Sequence, residues 1–382
     1  MTKVITVLGT RPEIIRLSRV INIFDLYLDH IIINTEQNFD YNLNGIFFKE
    51  LGLRDPDYNL KINNTTLGNC LSEIIIKTEE VYKKEKPDAI LVLGDTNSSI
   101  TALIAKRMNI PVYHMEAGNR SFDLNVPEEI NRKVVDHLAD FNLVYTEHAR
   151  RNLLSEGFHP RNIYLTGSPM NEVLNFYKND IQKSKILEKL NLKEKGYIVS
   201  SIHREENTDD IKRLETIIST LSKVSNHFKK EIILSIHPRT KNRLEKSSLI
   251  DKIGNLRLLP PFGFFDYINL QINSFCTISD SGTISEESAI LNFTALTLRH
   301  SLERPEALDN GTITLVNENY EQVIEAINLA ILKNSQADFI NDIPSEYLIK
   351  NTSKRVLNLI MSTASLSHEW LNRNKVSRSD WD

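Results

Sequence analysis

Carboxylates, arginines and histidines recur in this chain at one kind of place, the end of a short β-branched run. The run VITVLG hands over to TRPEIIR, which brings Arg11 to the strand end, before the helix proper, with Glu13 and Arg16 just inside the first helical turns. LVLGDTNSS then supplies Asp95, and VYHMEAGNR supplies His114, Glu116 and Arg120. Two carboxylates sharing one edge can be driven to different pKa values by each other and by desolvation, so Asp95 and Glu116 suit acid/base work. Each also has a plainer reading, Asp95 as an N-cap and Glu116 as a partner for Arg120. PEEINR at 127–132 opens as a helix, with Pro127 near N1 and Glu128 and Glu129 favoured by the helix dipole.

The second half offers cations where the first offers acids. SSIHREEN places His203 and Arg204 at a strand end, and LSIHPRT places His237 and Arg239 at the next. Such pairs suit phosphate oxygens, because Arg donates a bidentate pair and protonated His donates as well. Metal binding by the histidines is the rival reading, but no H-E-x-x-H or closely spaced ligand set accompanies them, and no metal is expected. In SDSGTISEESAILNF, Ser281, Gly282 and Thr283 stand at a helix N-terminus, a natural phosphate position, and Glu286 and Glu287 follow one turn later. A carboxylate there suits the two hydroxyls of a ribose, so a nucleoside diphosphate accounts for both features. The plain alternative is a capped helix with an acidic first turn. A serine nucleophile is disfavoured by the absence of G-x-S-x-G, the missing G-x-G-x-x-G argues against a nicotinamide or flavin cofactor, and the P-loop pattern is missing too.

These residues need a scaffold that gathers strand ends. VITVLG, HIIINTE, AILVLGD, PVYHMEAG, FNLVYTE and IYLTGSP alternate with longer helical patterns, the mark of βαβ units and a parallel sheet. YIVSSIH, EIILSIHP, LRLLPP, CTISD, TALTLR and TITLV form a second series after the Lys-rich stretch 173–196, read as a linker with a short helix. Two α/β sheets in tandem follow, with ligands beyond the carboxyl ends of the strands. The boundaries drawn are 1–172, 190–350 and a tail, 351–382, whose helical periodicity suggests packing back on the first domain.

The chain is long enough for two cores at roughly 150 residues per domain. Its 46 basic and 50 acidic residues give a net charge of −4, which suggests no nucleic-acid partner. Cys70 and Cys276 stand alone, so neither a disulfide framework nor a zinc knuckle is expected and a reducing compartment fits. No apolar stretch approaches the roughly 18 residues of a membrane span, and MTKVITVLG reads as a first strand rather than a leader; a cytoplasmic protein is expected.

The chain resembles, from its first strand to about Gly311, the non-hydrolysing UDP-N-acetylglucosamine 2-epimerases. The matching motifs, in order, are GTRPE at 9–13, GDT at 94–96, EAGNR at 116–120, PEEINR at 127–132, HREEN at 203–207, HPR at 237–239, DSGTISEE at 280–287 and ERPEA at 303–307. The resemblance implies two Rossmann-like domains of the GT-B type with the active site in the interdomain cleft, a homodimer, and no cofactor. It also implies inversion at C2 of a UDP-linked 2-acetamido sugar, through elimination of UDP to a 2-acetamidoglycal and re-addition. Asp95, Glu116 and Glu129 match the family's acid/base carboxylates; Arg11, His203 and the Ser281–Gly282 turn match its diphosphate contacts. Arg16 matches a catalytic cation, His237 a further site position and Glu287 the ribose-binding carboxylate, while Arg204, Thr283 and Arg304 fall in its substrate-binding motifs.

Family members commonly read GTRPEAIK and DSGG, where this chain has Ile14, Arg16 and Thr283. Arg16 replaces a compact ammonium by a planar fork, a change that is not neutral at such a position. GTRPEIIRLSRV, TEQNFDYNLNGIFFKELGL and the terminal RSDWD look most like the branch acting on UDP-2-acetamido-2,6-dideoxy-L-talose, which makes UDP-N-acetyl-L-fucosamine for capsule and O-antigen. The alternatives are UDP-N-acetylglucosamine as substrate, a hydrolysing epimerase, a GT-B glycosyltransferase, which needs no carbon-bound proton abstraction, and a non-catalytic nucleotide-sugar sensor.

Overall fold

Uninterrupted β-branched residues need cover on both faces, and the first run obtains it: β1 (Lys3–Leu8) is buried from Val4 onward. The computed structural model describes residues 1–36, 41–124, 126–236, 240–241, 244, 253–300, 303–335 and 343–370. The chain divides into two units, Met1–Val173 together with the segment from Ile349 onward, and Leu174–Leu348.

In the first unit, β2 (Asp29–Asn34), β3 (Tyr58–Asn59), β4 (Ala89–Leu93), β5 (Val112–Met115), β6 (Phe141–Val144) and β7 (Ile163–Leu165) join β1 in a seven-stranded sheet of order β3-β2-β1-β4-β5-β6-β7. The pairings are parallel, with Val7 opposite Ile33 and Thr6 opposite both Ile32 and Leu91. Ile5, Val7, Ile90, Val92 and Val112 centre its core. Strand β3 is an edge strand of two residues that its sequence does not announce.

The second unit repeats the design with β8 (Tyr197–Ser201), β9 (Glu231–Ser235), β10 (Leu256–Leu259), β11 (Cys276–Ser279), β12 (Ala295–Leu298) and β13 (Thr314–Val316), in order β10-β9-β8-β11-β12-β13. The strand order reverses between β1 and β4 in one sheet and between β8 and β11 in the other, the two places where a doubly wound sheet opens a crevice. The stretch 173–196 is more structured than a linker with one short helix. It lies in the helices Met170–Phe176, Lys178–Gln182 and Ile186–Leu190, because Ile186 packs with Tyr197, Val199, Ile233 and Leu270.

The chain returns to the first unit at its end. Helix Thr352–Thr363 packs on helix Arg11–Tyr27. Thr352 Oγ1 donates to the carbonyls of Thr166 and Ser168 at 3.2 and 3.1 Å, and Tyr113 Oη lies 2.6 Å from Thr363 Oγ1. Among the described residues no helix is long and apolar enough to cross a membrane.

Candidate active site

The turn after β1 is built by one carboxylate. Thr10, in extended conformation, caps helix Arg11–Tyr27, so Arg11 is the first helical residue and not, as expected, a residue before the helix. Glu13 reaches back to accept from the amides of Gly9 and Thr10 at 2.9 and 2.7 Å and from Thr10 Oγ1 at 2.8 Å, the reciprocal half of a capping box. Its second oxygen accepts from Thr96 Oγ1 at 2.9 Å, in the turn after β4. Burial pushes the Glu13 carboxyl up to about 7 despite the hydrogen bonds that favour its charged form. The Arg11 guanidinium stands over the Phe47 ring, 5.7 Å from its centroid.

One turn along the same helix, Arg16 is buried and pairs with Glu116, which follows β5. Glu116 sits at φ +66, a left-handed conformation that costs a non-glycine residue of the order of 1–3 kcal/mol and must be imposed by its surroundings. Gly118, at φ +78, shows the constraint: a Cβ there would lie 2.4 Å from the Ala149 carbonyl oxygen. Arg120 is not the partner of Glu116. It is drawn to Asp136 at 2.8 Å and to Glu156 through Nε and Nη2 at 2.8 and 2.7 Å, and those bonds hold the loop from below. His114 belongs to that support, with Nε2 2.9 Å from the Gly94 carbonyl and Nδ1 2.9 Å from Asp136.

Asp95 is not an N-cap, since Thr96 holds that position for the following 3₁₀ turn; its carboxylate pairs instead with Arg132. Arg132 also donates to Glu129 Oε2 at 2.9 Å, so one guanidinium bridges Asp95 and Glu129. Glu129 Oε2 further accepts from the Ser121 amide at 2.9 Å, and Lys133 Nζ stands 3.8 Å from its Oε1. Gly94, at φ +69, brings the Asp95 turn beside Glu116: a Cβ on it would stand 3.8 Å from Glu116 Oε2. Asp95, Glu116 and Glu129 therefore occupy one edge of the first sheet, each with an arginine against it.

In the second unit the organising group is Asp280, which follows β11. It is fully buried and accepts from the amides of His203 (3.0 Å) and Arg204 (3.0 Å) and from Asn207 Nδ2 (2.9 Å). His203 Nδ1 lies 2.9 Å from it. Burial works to raise the Asp280 pKa, but the His203 charge and the donated bonds outweigh it and hold the carboxyl at about 2. Among the described residues, His203, with Nδ1 engaged and its side chain 45% exposed, has Nε2 left for a ligand. Arg204 reaches Glu303 at 3.2 Å, Arg299 reaches it at 2.8 Å, and both guanidinium groups lie within 4 Å of where a Gly282 Cβ would be. The Ser281–Gly282–Thr283 turn precedes helix Ile284–Leu291. Arg304 is buried and donates to Glu286 at 2.6 Å, and Glu287 accepts from Gln271 at 3.0 Å. His237 lies outside the described residues. No cluster of His, Cys, Asp or Glu able to hold a metal occurs among the described residues.

The sequence model of the family described as UDP-N-acetylglucosamine 2-epimerase matches residues 25–361. The chain belongs to that family. The Methanocaldococcus jannaschii UDP-N-acetylglucosamine 2-epimerase is 38% identical over 345 residues, 87% of this chain and 93% of that one. The crystal structure of an M. jannaschii UDP-GlcNAc 2-epimerase in complex with UDP-GlcNAc and UDP superposes with a TM-score of 0.87 at 35% identity, covering 94% of this chain and all (100%) of the other. The Rickettsia bellii UDP-N-acetylglucosamine 2-epimerase structure gives 0.90 at 42% identity, over 97% and 98%. A Pseudomonas aeruginosa UDP-2,3-diacetamido-2,3-dideoxy-D-glucuronate 2-epimerase is 33% identical over 341 residues, 88% and 94% of the two chains. This member of the non-hydrolysing 2-epimerase family is thus an isomerase acting on a UDP-sugar, with two parallel α/β sheets of the GT-B kind.

Three carboxylates of the epimerase, Glu13, Asp280 and Glu303, shape the strand-end turns without having been singled out from sequence as site residues. Glu13 had a signal, the T-x-x-E spacing from Thr10. Asp280 meets the His203 amide across 77 residues of chain and Glu303 meets Arg204 across 99, separations that carry no local pattern.

Proposed function

We propose that this enzyme inverts C2 of UDP-2-acetamido-2,6-dideoxy-L-talose, giving UDP-N-acetyl-L-fucosamine for capsule or O-antigen synthesis in the cytoplasm. The observation that carries the chemistry is Arg132 bridging Asp95 and Glu129 while Glu116 stands beside the Gly94 turn. C2–H deprotonation needs one carboxylate as base and another as acid, and three at one edge meet that need. In the first half-reaction a base takes the C2 proton, the C1–oxygen bond to UDP breaks, and a C1–C2 double bond forms. In the second, an acid protonates C2 on the other face as a UDP oxygen returns to C1.

Departing UDP carries the negative charge, and His203 Nε2, Arg204 and the Ser281–Gly282–Thr283 turn supply donors for the diphosphate. Glu287 takes the ribose hydroxyls, Arg11 and Arg16 hold the glycal side, and His237 and Arg304 complete the substrate contacts. The choice of sugar rests on Ile14, Arg16 and Thr283 together with the resemblance of GTRPEIIRLSRV to the L-talose branch. UDP-N-acetylglucosamine is the second reading, favoured by the names of the M. jannaschii and R. bellii relatives.

The test is incubation in deuterated buffer with each sugar nucleotide separately, following C2 by NMR. Inversion with deuterium at C2 of the talose compound alone is expected. Inversion of the glucosamine compound instead establishes the second reading. Binding of both without exchange at C2 points to a different UDP-amino sugar as the substrate.

A further inference from the structure

Capping the helix at Thr10 asks little of Glu13: an acceptor for two amides, which a glutamine supplies equally well. The structure holds a carboxylate there at 1% exposure, and among the described residues its contacts are all to neutral donors, Gly9, Thr10 and Thr96. Burying a carboxylate without a cation is costly. Three of the bonds belong to the cap. The fourth, to Thr96 Oγ1, crosses 83 residues to the turn after β4 and has no part in capping.

Thr96 adjoins Asp95. From the other side the same turn is tied to helix Pro127–Leu138, where Asn131 Nδ2 donates to the Asp95 carbonyl at 3.0 Å and to Asn97 Oδ1 at 3.2 Å. Arg132 takes the Asp95 carboxylate itself. The Glu13–Thr96 bond joins this assembly to the turn that begins with Arg11. Thr96 makes no capping bond of its own with its side chain, so its hydroxyl serves the link to Glu13.

We propose that Glu13 is a positioning residue of the epimerase reaction, which through Thr96 sets the Asp95 turn at a fixed distance from the Arg11 turn. This rests on the assignment of Asp95 to proton transfer made above. Misplacing such a group by about 1 Å costs up to ~100-fold in rate. The buried carboxyl, pushed up to about 7, is neutral part of the time at ordinary pH, and the link then reorganises with protonation.

The experiment compares Thr96→Val, Glu13→Ala, Glu13→Gln and the Glu13→Ala/Thr96→Val double variant, reading kcat, KM and melting temperature with the sugar nucleotide that the wild type turns over. Thr96→Val, which keeps the side-chain shape, is expected to lower kcat by about tenfold or more with KM within about twofold. Glu13→Gln, whose oxygen accepts the cap bonds while its amide donates to Thr96, is expected to restore most of kcat and to flatten the pH profile around 7. The double variant is expected to be no slower than Glu13→Ala, since both remove the same link. Lowered melting temperatures with wild-type kcat in Thr96→Val and Glu13→Ala would overturn the proposal and leave Glu13 a purely structural cap. Asp95→Asn, run in parallel, separates the two readings. If it is inactive while Thr96→Val is fully active, this inference alone fails; if it turns over like wild type, the Asp95 assignment fails and the inference with it.

Discussion

Glu13 in the first unit and Asp280 in the second are both buried carboxylates at strand-end turns of the same doubly wound design, yet one is driven up to about 7 and the other down to about 2. Burial is the largest influence on each and acts in the same direction. What differs is the partner: among the described residues Glu13 accepts from neutral amides and hydroxyls alone, whereas Asp280 faces His203 as well as two backbone amides and Asn207. The His203 ring at 2.9 Å, together with the donated hydrogen bonds, reverses what desolvation alone would do to Asp280. The design leaves the first edge with a carboxyl that shares its proton with solution near neutral pH, and the second with a fixed anion orienting a histidine.

The two groups tilt stability in opposite directions with pH. Glu13 has a folded pKa above its ordinary 4.5, so the folded chain binds the extra proton between 4.5 and about 7, and its contribution falls as pH rises through that window. The displacement corresponds to ~3 kcal/mol at about 1.4 kcal/mol per tenfold. Urea unfolding of wild type and Glu13→Gln at pH 5 and pH 8 should show the wild type losing ground to the variant by that order; parallel curves would break the comparison. Asp280, with a folded pKa below 3.8, contributes stability present above pH 4 and lost as pH falls towards 2.

Asp280→Asn carries the next effect. An amide cannot accept from every donor now facing Asp280, and His203 loses the anion that orients it, so UDP affinity measured by calorimetry is expected to fall by ~2 kcal/mol, about thirtyfold. Unchanged affinity would remove His203 from the diphosphate site. The smallest effect tests the turn itself. A Cβ on Gly282 meets Glu303 at 3.5 Å and Arg204 at 3.8 Å, ordinary contacts, so Gly282→Ala should fold with stability within about 0.5 kcal/mol of wild type. A diphosphate approaching that turn loses the space, and UDP binding should weaken by ~1 kcal/mol or several-fold.

Much of the fold was legible because parallel strands buried on both faces write themselves as apolar runs, and each run from VITVLG to TITLV appears as a strand. The pair Tyr58–Asn59 was invisible, being an edge strand too short for any pattern. Ile186, Leu187, Leu190 and Leu192 gave little warning that a Lys-rich stretch would be drawn against the second sheet, because four apolar residues spread over seven positions are too short a run to establish a period. At the site, residue types at strand ends were readable while their pairings were not. Arg16 rather than Arg120 meets Glu116, because Asp136, fixed by His114 and the Gly118 amide, competes for Arg120 from the helix beneath. Sequence spacing carries no information on which of two arginines wins that competition.

The return of the chain to its first unit bears on the order of synthesis. Helix Arg11–Tyr27 is translated early, but the helix that packs on it, Thr352–Thr363, is translated after the whole of the second unit. At about 5–20 residues per second the first sheet waits on the order of ten to forty seconds between the emergence of Val173 and that of Thr363. During that interval the first unit can pair its strands but lacks the cover that Val356 and Ile360 provide when buried. A nascent chain stalled after Leu348 therefore leaves open the side of helix Arg11–Tyr27 on which Thr352–Thr363 packs, and the emergence of that later helix covers it.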